Sequence, residues 1–402
     1  MKSRVSDYQI IPFCPVLYPS ITDFNEFQSY IEKIEKEYSK EYGMVKIIPP
    51  QGWKARSTDC QEALGNKIII DPIEQNPQGK EGLFQQFFYF QCVYECVHII
   101  RKSMSFREYK KKAIAFDKVT DGKSIVEVED LFWKSISFSP PLYGSDIQMS
   151  IFDENVKWNL KNLDSILNQG LDSKISGVNT PYLYIGSWKT LFSWHKEDLD
   201  LSGINFLHYG KPKFWYCIPK SEDYKLENIA KNNFPDAFAK CNQFLRHKTS
   251  IINPYQILRK CKGNIKMCKI AQNEGEFIIV FSGAYHTGFN WGFNIAEAVN
   301  FASLNWLTVF QESKPCKCHL DNVSINPQNF INNLLKKRPD LIGIEKVKQF
   351  KQWIKQQQIY EEQNFQSSDK QYSSFEQKNR QIKNNVRKVK IKKSIRKKNK
   401  KN

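Results

Sequence analysis

The chain has 402 residues, of which 41% are hydrophobic with 28 Phe, 18 Tyr and 9 Trp, ample for a large globular core in one domain or two to three smaller ones. Its formal charge of +18 and pI near 9.3 favour an acidic partner such as nucleic acid or chromatin. Neither a membrane span nor secretion is expected: no run reaches about 18 apolar residues, the leading segment lacks an apolar stretch with a cleavage site, and ten dilute cysteines do not make a disulfide framework, so an intracellular protein with free thiols and metal ligands is expected.

After Pro19, Thr22 reads as a helix cap, and Phe24, Phe27, Ile31, Ile34 and Tyr38 recur at steps that place them on one helical face. Gly43 ends this pattern, and Val45, Ile47 and Ile48 before Pro49-Pro50 read as a short strand. The unit from Asp7 to Trp53 is too small to bury that face alone and is expected to dock on the rest of the chain. Leu83 to Ala115 reads as helical, with Leu83 to Ile100 as a buried helix, whereas Ile125 to Phe138 reads as strand around an acidic patch.

From Tyr182 to Trp306, short strand candidates succeed one another: YLYIG, LFSWH, GINFLHYG, KFWYCIP, EFIIVF and AEAVNFASL, bounded by Gly, Pro and Asn. This is the pattern of an all-β sandwich or jelly roll. Beyond Pro327 the helical segments NFINNLLKK and VKQFKQWIKQQQIYEEQ follow, polar residues take over from about Gln366, and Lys378 to Asn402 reads as a disordered basic tail with almost nothing apolar to bury. No internal repeat at solenoid periods is found.

His195 and Glu197, two apart in a strand-rich region, point to one face if both are in a strand. A third imidazole, His286, follows EFIIVFSGAY. Two imidazoles and one carboxylate on one side of a metal leave positions for a bidentate cosubstrate and O₂, the arrangement of a non-haem Fe(II) oxygenase. The His-x-Glu pair alone is more often the product of a capped turn or a salt bridge, and it is the third imidazole in a separate strand context that favours metal. His98, in an apolar helix, and His208, inside a strand, read as core or structural. Cys241, His247, Cys316 and Cys318 supply three thiolates and one imidazole, a closed set suited to structural zinc, although the spacing is not that of a zinc finger and Cys261, Cys268 and His319 compete. Cys92 and Cys96 read as small core residues on one helical face.

The segments GVNTPYLYIGSWKTLFSWHKEDLDLSGINFLHYGKPKFWYCIP, FLRHK and GAYHTGFNWGFNIAEAVNFA resemble a JmjC domain, and YQIIPFCPVLYPSITDFNEF with IIPPQGWKAR resembles the JmjN module found with it. From about Tyr8 to about Tyr360 the chain is similar to the JmjN-plus-JmjC histone H3 demethylases that act on trimethyl-lysine at the ninth and thirty-sixth tail positions. The fold this implies is mainly β with flanking helices (α+β): a double-stranded β-helix, or cupin-like jelly roll, with a docked JmjN unit and C-terminal helices. The implied layout is a JmjN unit at 7–53, a mixed helical/β connector at 54–145, the catalytic jelly roll at 146–312, zinc-site completion and C-terminal helices at 313–365, and the disordered basic tail at 366–402.

The resemblance implies that His195, Glu197 and His286 hold Fe(II), which 2-oxoglutarate chelates. Lys213 and Tyr143 match the residues that take its far carboxylate, Asn205 a polar neighbour, and Phe192 and Trp215 the pocket walls. Without the resemblance, Lys213 reads as a solvated turn lysine and Tyr143 as a loop aromatic. Gly177, Tyr184, Glu197 and Asn300 match positions whose oxygens attract the polarised C–H bonds of a methylammonium. Ala298-Val299 stands where some relatives have Ser-Thr, which leaves the methyl pocket more apolar and the preference between tri- and dimethyl-lysine open. Lys248 matches a position near O₂ entry, and Cys241, His247, Cys316 and Cys318 match the family's Zn(II) site, which would pin the C-terminal helices.

The implied reaction oxidises N-methyl groups and releases formaldehyde, with succinate and CO₂ as coproducts. The implied partners are the methylated histone H3 tail and chromatin in the nucleus, with the basic tail contacting DNA or an import receptor and no membrane involved. Two rival readings remain: a JmjC hydroxylase that leaves a stable alcohol on a non-histone protein, and a catalytically silent chromatin scaffold. The mark of the latter, a broken triad or a lost cosubstrate lysine, is not seen.

Overall fold

The structure, a computed structural model, describes residues 10–64, 68–80, 92–316, 318, 323–343 and 345–359. The chain opens with β1 (Val16–Leu17) and an apolar face carried by two helices instead of one. The first, α1 (Ile21–Asn25), is capped by Ser20, whose hydroxyl accepts from the Asp23 N–H at 3.1 Å, so Thr22, the expected cap, lies inside the helix. Glu26 (φ −113°, ψ 74°) separates it from α2 (Phe27–Tyr38). Phe24, Phe27, Ile31 and Ile34 are buried on the expected face. Phe24 stacks on Trp158 at 4.5 Å and Phe27 meets Phe301 edge-on at 5.3 Å, so this unit is docked against the rest of the chain. The expected short strand is β2 (Met44–Ile47).

The connector holds α3 (Cys60–Leu64), β3 (Ile69–Ile70), β4 (Ile73–Gly79), β5 (Val93–Ile100), β6 (Met104–Ser105), α4 (Phe106–Ile114), α5 (Ile125–Ser135) and β7 (Leu142–Ile147). Two expectations are reversed here. Val93 to Ile100 is a strand, not a buried helix, while 83–91 lie outside the described residues. An apolar run cannot by itself separate the two, and this one, VYECVHII, is rich in β-branched and aromatic residues. His98 and Cys96 therefore sit on a strand, and Cys92 just precedes it. Ile125 to Ser135 is a helix, not a strand: Ser124 and Glu127 form a reciprocal capping box, and Val128, Glu129 and Phe132 are buried at helical spacing.

The strand-rich region then provides α6 (Ile166–Gly170), β8 (Tyr182–Gly186), β9 (Leu191–His195), β10 (Ser202–Gly210), β11 (Lys213–Ile218), α7 (Asp223–Asn233), α8 (Pro235–Lys240), β12 (Ser250–Ile252), α9 (Pro254–Lys260), β13 (Cys268–Gln272), β14 (Phe277–Val280), β15 (Tyr285–Asn290) and β16 (Asn294–Phe301), followed by α10 (Trp306–Glu312) and α11 (Pro327–Lys337). A ten-stranded sheet runs in the order β1-β2-β14-β10-β16-β8-β7-β4-β5-β12 and a four-stranded sheet in the order β13-β11-β15-β9, with β3 and β6 forming a small pair. Buried Trp215, Cys217, Cys268 and Ile270 of the smaller sheet pack with Ile278, Val280 and Met44 of the larger, which makes the layer between two faces of a jelly roll. Gly170 lets α6 lie against α11, since a Cβ there would stand 2.3 Å from the Phe330 ring. Past Pro339 a separate unit begins, in which residues 345–359 are helical. Among the described residues no helix is long and apolar enough to cross a membrane.

Candidate active site

Antiparallel pairing of β9 and β15 sets His195 directly opposite His286, with their ring centroids 4.2 Å apart. Glu197 lies two residues past the end of β9 and not within a strand, yet its extended backbone (φ −65°, ψ 157°) keeps the carboxylate beside the imidazoles. His286 Nε2 is 3.2 Å from Glu197 Oε1, and one ligand atom from each of the three residues falls within 4.8 Å of the others. Gly203 leaves room for the carboxylate, because a Cβ there would stand 3.2 Å from Oε1.

His195 Nδ1 is 2.7 Å from the Ser193 carbonyl, so Nδ1 carries the proton and Nε2 presents a lone pair. Burial, then the charges of His286 and Lys248, push His195 well below the usual histidine range and keep it neutral. For Glu197 burial works the other way, but the hydrogen bond from His286 and the charges of His286, His195 and Lys248 prevail and hold the carboxyl well below its ordinary value. A neutral imidazole and an ionised carboxylate are the forms a divalent cation takes as ligands. All three residues border a cavity of about 320 Å³, so a metal held by them keeps open positions facing that space.

The same cavity is lined by Tyr143, Phe192, Asn205, Lys213 and Trp215. Lys213, far from being a solvated turn lysine, is 2% exposed and donates to Asn290 Oδ1 at 2.7 Å. Burial pushes its pKa down to about 7. Asn290 also accepts from Asn294 at 2.9 Å, donates to Thr190 Oγ1 at 2.8 Å, and interacts with the buried Tyr143 hydroxyl. Phe192 and Trp215 form an aromatic wall, with centroids 4.7 Å apart, and the Phe192 ring lies 5.7 Å from the Lys213 ammonium. Asn205 Oδ1 is buried without a hydrogen-bond partner, a polar atom that asks for a ligand. A lysine ammonium, a phenol and apolar walls beside a metal triad fit a metal-chelating dicarboxylate, while Asn205 Oδ1, an acceptor, calls for a donor and not for a carboxylate oxygen.

Gly177, Tyr184, Lys248, Ala298 and Asn300 line this cavity as well, so the structure gathers every residue expected of the iron, cosubstrate and substrate sites into one space. It adds residues that sequence reasoning missed. Asn290 carried a readable signal, since it lies four positions after His286 and so shares its face of the strand. Gln75 exchanges two hydrogen bonds of 2.8 Å with the Leu191 backbone and fixes the start of β9. His98 and Asp146 also border the cavity, although His98 was expected in a helix core. His208 is structural as expected, bound to Arg56 at 2.6 Å and Glu297 at 3.0 Å.

A second cluster joins Cys241, His247, Cys316 and Cys318, again with ligand atoms within 4.8 Å of one another. Cys241 Sγ lies 3.7 Å from Cys316 Sγ, and His247 Nε2 lies 3.3 Å from it. A tetrahedron built on Zn–S bonds of about 2.3 Å has an edge of roughly 3.8 Å. Burial opposes ionisation of Cys316, but the Cys318 N–H, 3.4 Å away, and the thiols of Cys318 and Cys241 outweigh it and lower the pKa. Cys261 and Cys268 lie outside this cluster, and His319 lies outside the described residues.

Profiles of known families match this chain in two places, "JmjC domain, hydroxylase" over residues 182–301 and "jmjN domain" over residues 15–49. Curated relatives include lysine-specific demethylase 4B of Mus musculus, 39% identical over 334 residues that make up 81% of this chain and 29% of the relative. Probable lysine-specific demethylase 4F of Homo sapiens is 36% identical over 82% of this chain and 51% of its own length. Lysine-specific demethylase 4D of Rattus norvegicus is 36% identical over 82% of this chain and 63% of its own length. The chain thus spans from under a third to under two thirds of these relatives.

Proposed function

This chain is a JmjN- and JmjC-domain protein, and from that premise we propose that it is an Fe(II)- and 2-oxoglutarate-dependent oxygenase that removes methyl groups from lysine in the histone H3 tail. The observation that carries the reading is the meeting of His195, His286 and Glu197 in one cavity with the buried ammonium of Lys213. With ferrous iron and 2-oxoglutarate bound, the site supplies oxidation of an N-methyl group to a hemiaminal that releases formaldehyde, with succinate and CO₂ as coproducts.

The chain's own residues supply grip, shape and exclusion of water. Lys213 and Tyr143, held by Asn290, take the far carboxylate of the cosubstrate, Asn205 is a polar neighbour in the same cavity, and Phe192 and Trp215 keep solvent out. Oxygens of Gly177, Tyr184, Glu197 and Asn300 surround the methylammonium. No lone pair on the substrate nitrogen is used, so trimethyl-lysine is accepted along with dimethyl-lysine. Lys248 stands in the cavity beside the metal residues, where we place O₂ entry. Cys241, His247, Cys316 and Cys318 hold structural zinc. The substrate places the protein in the nucleus, and the basic run of 378–402, outside the described residues, contacts DNA or an import receptor.

The test is incubation of the purified chain with Fe(II), 2-oxoglutarate and a panel of methylated H3 peptides, read by mass. Stepwise loss of methyl groups with matching succinate is expected, and His195→Ala should lower both at least about a hundredfold while the protein stays folded. A peptide that gains oxygen and keeps it indicates a hydroxylase instead. Unchanged succinate in the variant rules this site out.

A further inference from the structure

The two clusters are joined by one side chain. Arg246 immediately precedes His247 of the thiol–imidazole cluster, and its side chain reaches the backbone of Glu197. Its side chain is 9% exposed and all three guanidinium nitrogens donate: Nη1 to the Glu197 carbonyl at 2.7 Å, Nη2 to the Asp200 carboxylate, and Nε to the Lys314 carbonyl at 3.2 Å, two residues before Cys316. One planar group thus ties the turn that carries Glu197 to the strands of chain that carry His247 and Cys316.

That turn needs holding. Leu199 and Asp200 have φ of 53° and 54°, a left-handed backbone that non-glycine residues adopt only where their surroundings enforce it. The enforcement comes from Gly283 N–H on the Asp200 carbonyl at 3.0 Å, the Trp306 indole on the Leu199 carbonyl at 3.0 Å, and Arg246 on Glu197 and Asp200. Trp306 and Gly283 grip the far end of the turn, whereas Arg246 grips the backbone of Glu197 itself. A carboxylate ligand fixed at its own carbonyl loses less freedom when a metal arrives, and second partners of this kind change metal affinity by about 10- to 100-fold.

We infer that Arg246 is the positioning residue that couples the thiol–imidazole cluster to Glu197, so that filling the first site tightens metal binding at the second. The inference rests on the reading of His195, Glu197 and His286 as metal ligands. It makes the two sites thermodynamically linked through one removable side chain.

The experiment titrates Mn(II), an oxygen- and imidazole-preferring ion that thiolate sites do not favour, into the full chain, with binding read by calorimetry and by the electron paramagnetic resonance signal of the bound ion. Wild type, Arg246→Lys and Arg246→Met are each compared zinc-loaded and after treatment with a zinc-selective chelator. Arg246→Met should weaken Mn(II) binding about tenfold, with Arg246→Lys between it and wild type. Stripping zinc should weaken wild type by a similar factor and leave Arg246→Met nearly unchanged, a non-additive cycle that general loss of stability does not produce. Equal Mn(II) affinity in wild type and Arg246→Met overturns the positioning role, and equal weakening of both by zinc removal overturns the coupling. Should Arg246→Met not fold, Arg246→Lys carries the same comparison, and wild-type affinity in it overturns the inference. If zinc-loaded wild type and His195→Ala bind Mn(II) alike, the metal reading itself has failed, a result distinct from any difference among the Arg246 variants.

Discussion

Lys213 Nζ sits 2.7 Å from Asn290 Oδ1, the two residues facing each other as register partners across β11 and β15. Burial takes the lysine from 10.5 to about 7. A carboxylate placed beside it favours the charged form again, so binding of 2-oxoglutarate should take up close to one proton at about pH 8 and far less at about pH 6. Calorimetry in buffers of different ionisation enthalpy reads the proton number as the slope of heat against that enthalpy, and a slope near zero at about pH 8, or the same slope at both pH values, would contradict it. The sign for folding is the reverse of a salt-bridged lysine. Because the folded pKa lies below the unfolded one, the native state binds fewer protons between about 7 and 10.5; stability therefore rises with pH across that window, and the penalty is complete below it. Lys213→Met should raise the thermal midpoint of the ligand-free protein near neutral pH and abolish cosubstrate binding.

The thiol–imidazole cluster predicts one tightly held zinc per chain. Cys316→Ser removes the thiol that both Cys241 and His247 approach, and should cost the metal along with about 5–10 °C of thermal midpoint. Cys261→Ser, at a half-buried thiol outside the cluster, serves as the control and should change neither. Elemental analysis beside a melting curve separates the two variants; zinc retained by Cys316→Ser would remove this residue from the ligand set.

What could be read from the sequence follows from how many levels of physics agreed. Strands β8 to β11, β14 and β16 were legible because β-branched and aromatic residues alternate between turn residues, and both the local propensity and the burial point to strand. The meeting of the triad was legible because His195 ends β9 and His286 follows the legible strand β14 after a short turn, although His286 lies on a strand of its own, β15, and Glu197 reaches the site from beyond β9. The connector was not. VYECVHII satisfies the apolar requirement of a helix as well as of a strand, and what decides it is pairing with its neighbour β4 on one side and with β12, far away in the chain, on the other. For α5 the deciding signal, Ser124 with Glu127, was local and outweighed by the Ile-Val-x-Val start. Asn290 shares a strand face with His286, but what that amide does becomes evident only once its partner Lys213 is placed opposite it.

The helix α5 also carries a buried charge at the centre of a polar network. Glu129, buried on that helix, accepts from Tyr216 at 2.6 Å, from Tyr255 at 3.1 Å and from Lys269 at 2.7 Å. Glu129→Ala strands a lysine cation whose side chain is 7% exposed and leaves two phenols unmatched, which should cost about 3–5 kcal/mol in chemical denaturation. Replacing both ends, Glu129→Leu with Lys269→Met, should recover most of that loss, because the burden lies in the unpaired charge more than in the missing bond. A double variant as unstable as Glu129→Ala would show that the network contributes geometry that apolar side chains cannot replace.

The methyl pocket gives a prediction about substrate preference. Ala298 and Asn300 point to one face of β16, while Val299 points to the other and packs with Ile204, Phe206 and Phe301 in the core. Both positions border the cavity, but Val299 turns its side chain into that apolar cluster, so of the two where some relatives carry hydroxyls Ala298 is the one whose side chain shares a face with Asn300. A dimethyl-lysine ammonium keeps one N–H, which a serine hydroxyl accepts, whereas trimethyl-lysine has none to give. Ala298→Ser should therefore shift the ratio of kcat/KM toward dimethyl-lysine by about 1 kcal/mol, roughly fivefold. Val299→Thr, which buries a hydroxyl in an apolar cluster, should cost about 1–3 kcal/mol of stability and leave that ratio nearly alone. Paired di- and trimethyl peptides assayed with each variant decide it: a larger shift from Val299→Thr than from Ala298→Ser would mean that the pocket is read from the opposite face of the strand.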